Sequence, residues 1–252
     1  MKSENKRIVV VTGSSRGIGA ATAIKAAELG YEVCINFVKN ESAALNVAER
    51  IRSHHGKCIV VKADISKEKE VIRLFEEVDK ELGTVTALVN NVGVVGEKAR
   101  LSEMTGDRIN YVLTANILSC FLCSREAVRR MGISFGGNGG SIVNVSSAAS
   151  RLGASGEYID YAASKGAMDT LTIGLSKEVA SDGIRVNSVR PGYIFTDIHA
   201  NSGDPERVEK LAKSLPMQRG GDSREVADAI LWLLSEEASY VTGSFIDLAG
   251  GR

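Results

Sequence analysis

Tyr161-Ala162-Ala163-Ser164-Lys165 sets a phenol and an ammonium four residues apart. On a helix that spacing puts both side chains on one face, so the cation can lie near the phenol. A tyrosine titrates near pKa ~10 in isolation, and acid–base work at neutral pH asks that this value fall by about 3, or roughly 4 kcal/mol. A neighbouring cation lowers it by about 1–3. The pair is therefore a candidate proton donor and acceptor that carries much of its own tuning.

A second constellation, Thr12-Gly13-Ser14-Ser15-Arg16-Gly17-Ile18-Gly19, follows the apolar run Ile8–Val11 and opens a helical pattern. Strand, glycine turn and helix form the context in which a dinucleotide pyrophosphate binds. Glycines let the backbone turn tightly and approach the phosphates, and the helix N-terminus favours their charge. The spacing is G-x-x-x-G-x-G, and a glycine at such a turn is also a common structural choice. An oxidised nicotinamide held here would add positive charge beside the phenol.

The end of the second strand, 20 residues past Gly17, is where an acidic side chain would bond the ribose 2′-hydroxyl of NAD. Phe37 stands there, followed by Val38 and Lys39. No carboxylate repels a 2′-phosphate, while Arg16 and Lys39 can grip one, the arginine through a charge-assisted fork. NADP(H) is the expected cofactor, with NAD(H) as the alternative should both cations be merely solvated.

These residues need elements to hold them. Ile8–Val11, Glu32–Phe37, Cys58–Ala63, Ala87–Asn90, Ser141–Val145, Ile184–Val189 and Ser244–Leu248 read as strands. Between them, helical periodicity covers Ile18–Leu29, Ser42–His54, Glu68–Leu82, a long stretch over Asp107–Met131, Ile159–Ser181 and Glu225–Leu234. The alternation predicts an α/β fold, a Rossmann-type doubly wound parallel sheet with helices on both faces. No repeat or linker divides residues 1–252, so one dinucleotide-binding catalytic domain is expected. The irregular stretch Tyr193–Gly221 suits a substrate lid, with a short helix opening after Asp204 and Pro205. Asp222-x-x-Glu225 has the capping-box pattern.

Composition narrows the partners. Across 252 residues, 31 Lys and Arg balance 31 Asp and Glu, so no overall field gathers nucleic acid or an anionic bilayer. The apolar run after the charged start is too short for a signal peptide or a membrane span. Cys34, Cys58, Cys120 and Cys123 read as reduced thiols of a cytoplasmic protein. Cys120-x-x-Cys123 lies within a helical pattern, without the partners a zinc site needs, and is expected to fill core. His54, His55 and His199 offer no metal site, and Trp232 is expected to anchor the core.

Taken together, Thr12-Gly13-x-x-x-Gly17-x-Gly19, Asn90-Asn91-Val92-Gly93, Asn116, Asn144-Val145-Ser146-Ser147, Tyr161-x-x-x-Lys165 and Arg190-Pro191-Gly192 resemble the short-chain dehydrogenase/reductase family. The likeness runs in order across essentially the whole chain, and is to short single-domain members such as 3-oxoacyl carrier-protein reductases and sugar dehydrogenases. It implies a tetrad of Asn116, Ser147, Tyr161 and Lys165. Tyr161 would exchange a proton with the substrate oxygen, and Ser147 would hydrogen-bond that oxygen. Lys165 would bind the nicotinamide ribose and lower the tyrosine pKa, and Asn116 would hold a water in a proton relay. Ser146 would only pack or bond backbone.

For the cofactor, the resemblance implies contacts from Gly13, Ser15, Arg16, Gly17, Ile18, Gly19 and Lys39. Asp64, followed by Ile65, would bond the adenine amino group or cap the next helix. Asn90 and Gly93 would line the adenosine side, Pro191 and Gly192 lie along the cleft, Ile194 would meet the carboxamide by its backbone and Thr196 by its hydroxyl. Val92 departs from the usual alanine.

Tyr158, seven residues before Lys165, matches the spacing of the superfamily's enoyl reductases, but the glycine motif, Asn90-Asn91 and Ser147 match the carbonyl-reducing branch. Tyr158 is expected to line the substrate pocket. The expected activity is hydride transfer between NADP(H) and a small carbonyl or alcohol. A carrier-bound acyl chain is less expected, because Gly136–Gly140 and Ser181-Asp182-Gly183 hold no basic residue. The reading from another class is a non-catalytic dinucleotide-binding redox sensor, which has no need of the tetrad. The resemblance also implies a homotetramer built on Asp107–Met131, Ile159–Ser181 and Ser239–Gly251, without nucleic acid or membrane partners.

Overall fold

A computed structural model describes residues 6–196, 204 and 206–252. Seven strands, β1 (Ile8–Val11), β2 (Glu32–Phe37), β3 (Cys58–Lys62), β4 (Ala87–Asn90), β5 (Gly140–Val145), β6 (Ile184–Pro191) and β7 (Phe245–Leu248), form one sheet in the order β3-β2-β1-β4-β5-β6-β7. Every neighbouring pair is parallel. Along β1, Val9 and Val11 enter one core while Ile8 and Val10 enter the other, as alternation demands in a sheet buried on both faces.

The first core is closed by α1 (Gly17–Glu28), α2 (Glu41–Ser53) and α9 (Ser223–Leu234). The second is closed by α3 (Glu68–Glu81), α5 (Ser119–Met131) and the end of α7 (Ile159–Glu178). From β1 the chain winds out to β3 and returns at β4 on the other side of β1. That reversal opens a crevice at the carboxyl ends of β1 and β4, where such sheets bind ligands. The Gly13–Gly19 turn, the segments after β4, β5 and β6, and the start of α7 all belong to this end.

Three expectations change. The stretch Asp107–Met131 is not one helix: α4 (Gly106–Leu113) and α5 are joined by a π-helical turn over Thr114–Leu118. Asn116, in that turn, is held by bonds to other segments, described below, and such turns are often found at functional sites. Trp232 is 43% exposed, because Val226, Ala227, Ile230, Leu231, Leu233 and Leu234 already fill the core face of α9. The short helix of the stretch between β6 and α9, α8 (Arg207–Ala212), starts at Arg207, whose N–H donates to the Asp204 carbonyl at 3.1 Å. Pro205 and His199 lie outside the described residues.

A short helix, α6 (Ala149–Leu152), follows β5. The Asp222 capping box is present, with Asp222 accepting from the Arg224 N–H at 2.7 Å and Glu225 from the Asp222 N–H at 2.8 Å. All four cysteines are free and buried. Burial pushes the Cys120 thiol up to about 12 and raises Cys123 well above its ordinary value, so this pair serves as core. Among the described residues no helix is long and apolar enough to cross a membrane.

Candidate active site

The glycine turn is tied from two sides. Gly13 donates its N–H to Asn36 Oδ1 at 3.1 Å, and Asn91 Nδ2 donates to the carbonyls of Thr12 and Gly13 at 2.9 and 3.1 Å. Gly13 and Gly17 have φ of +59° and +56°, the left-handed region that side chains rarely adopt. A Cβ on Gly19 would lie 2.5 Å from Asn91 Nδ2 and 2.6 Å from the Gly13 carbonyl. One on Gly13 would lie 2.8 Å from Val92 Cγ2, so the valine packs directly onto the turn. The result is a bare backbone concavity at the N-terminus of α1, a shape and a dipole that fit a pyrophosphate.

Ser15 is half-buried beside it, and Ile18 packs against the first core. Arg16 is exposed at the α1 N-cap without capping it by its side chain. Phe37 is buried in the first core, while Val38 and Lys39 are exposed. A Cβ on Gly17 would lie 3.4 Å from Thr196 Cγ2, so the turn and the segment after β6 meet.

Several expected cofactor contacts offer less side chain than anticipated. Asn90 Nδ2 is engaged in the core by Ser124 Oγ at 3.0 Å and Asn144 Oδ1 at 2.9 Å. Gly93 is set against the Lys165 ammonium, 3.4 Å from where its Cβ would be. The side chains of Ile65 and Ile194 are buried in the two cores. Gly192 is required by packing, since its Cβ would stand 2.9 Å from Ala249 Cα, and Pro191 accepts from the Ala148 N–H at 2.9 Å.

Asp64 does not cap α3 directly. It accepts from the N–H and hydroxyl of Ser66 at 3.2 and 2.6 Å and pairs with Lys67 at 3.2 Å. Burial raises its pKa, but these bonds outweigh it and hold the carboxyl below its ordinary value.

At the other end of the crevice, Tyr161 and Lys165 occupy the first turns of α7. The Ser147 hydroxyl lies beside the Tyr161 phenol, close enough to pull its pKa down, and accepts from the Ala149 N–H at 3.1 Å. Ser146 instead bonds the Lys165 carbonyl at 3.2 Å, the backbone role expected of it. Lys165 is buried, with its Nζ 5.7 Å from the centroid of the Tyr161 ring. Burial presses its pKa down to about 8, against the opposing pull of Cys120 and Asp169. The expected lowering of Tyr161 by Lys165 is not found in the chain by itself. Burial raises the phenol, and the Ser147 hydroxyl offsets only part of that rise.

Asn116 is fully buried in the π turn. Its Oδ1 accepts from the Val94 N–H at 2.7 Å, and its Nδ2 donates to the Val94 carbonyl and to Ser164 Oγ, each at 2.9 Å. Ser164 Oγ in turn donates to the Tyr161 carbonyl at 2.6 Å. The asparagine therefore fixes the segment after β4 to the helix that carries the tyrosine.

A model of the family described as enoyl-(acyl carrier protein) reductase matches residues 13–252. The uncharacterised oxidoreductase YgfF of Escherichia coli (strain K12) is 56% identical over 97% of this chain and 99% of its own. Glucose 1-dehydrogenase of Gluconobacter oxydans (strain 621H) is 37% identical over 96% and 90%. A mutant of a Serratia marcescens short-chain dehydrogenase/reductase superposes with a TM-score of 0.89 at 29% identity, covering 97% of each chain. The chain belongs to the short-chain dehydrogenase/reductase family. Members bind a nicotinamide dinucleotide and act as oxidoreductases.

Within this short-chain dehydrogenase/reductase, Tyr158 is buried with the Arg207 guanidinium 5.4 Å from its ring centroid. The phenol in contact with the Ser147 hydroxyl is that of Tyr161. Two anchors escaped sequence reasoning. Asn91 was visible only as part of a motif, and Ser164 sits between Tyr161 and Lys165 on a position helical periodicity alone marks as core. Among the described residues no group of three or more His, Cys, Asp or Glu could hold a metal ion.

Proposed function

We propose that this chain is an NADP(H)-dependent oxidoreductase that interconverts a small carbonyl compound and its alcohol, with Tyr161 as general acid and base. The observation that carries the proposal is the contact between the Ser147 hydroxyl and the Tyr161 phenol beside a buried Lys165 ammonium, at the crevice that also holds the glycine cradle. The dinucleotide, when bound, supplies or accepts the hydride. Ser147 holds the substrate oxygen and Tyr161 gives it a proton in reduction or takes one in oxidation. An ammonium with a pKa of about 8 stays charged at neutral pH, so Lys165 can bind ribose hydroxyls and favour the phenolate. Asn116, whose Oδ1 accepts only from the Val94 N–H and keeps a second acceptor position, would hold a water in a proton relay reaching Lys165.

Arg16 and Lys39, exposed beside the cradle, support NADP(H) over NAD(H). The chain would act as one domain, with 193–221 as the substrate lid. A free sugar, polyol or other small carbonyl compound is the favoured substrate, in keeping with the relative named glucose 1-dehydrogenase. The family model's description keeps an acyl chain on its carrier as the second reading. Against it, the loop over Gly136–Gly140 packs on Gly183 with no cation of its own, and Arg129 and Arg130 are paired with Glu126 and Asp79. Phe121, 51% exposed on α5, together with exposed Tyr111, Leu118 and Ile173, supports a homotetramer. The free, buried cysteines support a cytoplasmic location.

The test is the initial rate of NADPH oxidation, with NADH alongside, over diketones, quinones, sugars and 3-oxoacyl thioesters. Turnover of a free carbonyl supports the proposal. Turnover confined to carrier-bound thioesters replaces it with the second reading, and dinucleotide binding without turnover leaves the sensor.

A further inference from the structure

Helix α7 begins without the residue that should begin it. Its first N–H groups have no partner within the helix, and its N-cap is Tyr158, which supplies no side-chain acceptor. The Tyr161 N–H is met from inside the first turn instead, by Asp160 Oδ1 at 2.9 Å. The Asp160 side chain is 1% exposed, and a charged group so buried calls for a partner of opposite sign. Arg108 of α4 supplies it as a fork, Nε to Oδ2 at 2.9 Å and Nη2 to Oδ1 at 3.4 Å. The guanidinium is itself confined by the segment after β4, since a Cβ on Gly96 would stand 2.7 Å from Arg108 Nε.

The start of α7 is thus fastened twice: ahead of Tyr161 Asp160 is held by Arg108 of α4, and behind it Ser164 is held by Asn116 of the π turn. Residues 160 and 164 are one turn apart on α7, and the tyrosine lies between them. Fixing both ends of that turn fixes the direction of the Cα–Cβ bond from which the phenol extends, and a misplacement of about 1 Å in a catalytic group can cost about 100-fold in rate.

We infer that Asp160 is a positioning residue for the Tyr161 phenol, held in place by the Arg108 guanidinium. The inference rests on the reading of Tyr161 as the proton donor, but what it says of the phenol's position can be measured without turnover. The chain has 6 tyrosines. In protein labelled with 13Cζ-tyrosine, the Tyr161 line is assigned by its loss in Tyr161→Phe.

In Asp160→Ala the Tyr161 line is expected to shift or broaden while most of the others hold. With the best carbonyl substrate of the panel, kcat is expected to fall at least 10-fold with KM changed less than 3-fold. The paired substitution Arg108→Gln with Asp160→Asn keeps an amide donor on α4 and an amide oxygen to accept on α7, with no buried charge. It is expected to restore the line and recover kcat to within about 3-fold. Should Asp160→Ala not fold, Arg108→Gln alone takes its place, with Asp160→Asn as its repair.

A Tyr161 line unmoved in the folded single variant overturns the inference. So does a change spread over all the tyrosine lines and the melting temperature, which marks a role in stability alone. Full activity of Tyr161→Phe would instead overturn the reading of Tyr161, leaving the resonance to decide the inference.

Discussion

Lys165 donates a 2.7 Å hydrogen bond from its ammonium to the carbonyl of Val145, the last residue of β5. A cation buried in this way has little water to stabilise it, and its pKa falls to about 8. That burial makes the lysine a burden on the fold.

The burden has a sign and a pH window. The folded value of about 8 lies below the ordinary 10.5, so below pH 8 both states are protonated and the folded state carries the full penalty, ~3 kcal/mol. The penalty shrinks as pH rises from 8 to 10.5 and is gone above it. Lys165→Met removes the charge but leaves the Val145 carbonyl unmet, at about 1–3 kcal/mol. We expect the variant without ligand to be up to ~2 kcal/mol more stable near neutral pH and to lose that advantage toward alkaline pH, measured by urea unfolding. A difference independent of pH would contradict this.

The cradle predicts its own failure. Gly19→Ala sets a methyl 2.5 Å from Asn91 Nδ2, so the turn must open where the pyrophosphate is to bind. We expect NADPH affinity to drop at least 10-fold with a stability loss of about 1–3 kcal/mol. Fluorescence titration checks it, and unchanged affinity would place the dinucleotide elsewhere.

Cofactor choice rests on two exposed cations. Arg16→Ala with Lys39→Ala should weaken NADPH about 10-fold or more while changing NADH little, because only the former carries the extra phosphate. The preference in the parent protein should also narrow as salt is raised. Equal losses for both dinucleotides would mean that the two side chains do not read the 2′-position.

Much of the architecture was legible in order. Strand-sized β-branched runs alternating with helical periodicity placed all seven strands of the sheet, because burial on both faces leaves such runs few alternatives. The π turn was not legible, since Asn116 is held by Val94 and Ser164, contacts that exist only once three segments meet. Trp232 misled for a related reason: its apolar neighbours on α9 fill the core face and leave it outside. Tyr161 and Lys165 were recognisable by spacing, but burial, which decides the direction in which each titrates, belongs to the packed molecule.

The central claim is that the Tyr161 hydroxyl exchanges the proton of a carbonyl substrate. Its most direct test is the turnover of Tyr161→Phe with NADPH, measured beside its dinucleotide affinity and beside Tyr158→Phe. We expect Tyr161→Phe to lose at least about 100-fold in kcat, with NADPH still bound within about 3-fold, and Tyr158→Phe to lose far less. A Tyr161→Phe enzyme that turns over at the parent rate, or a larger loss in Tyr158→Phe, would contradict the account.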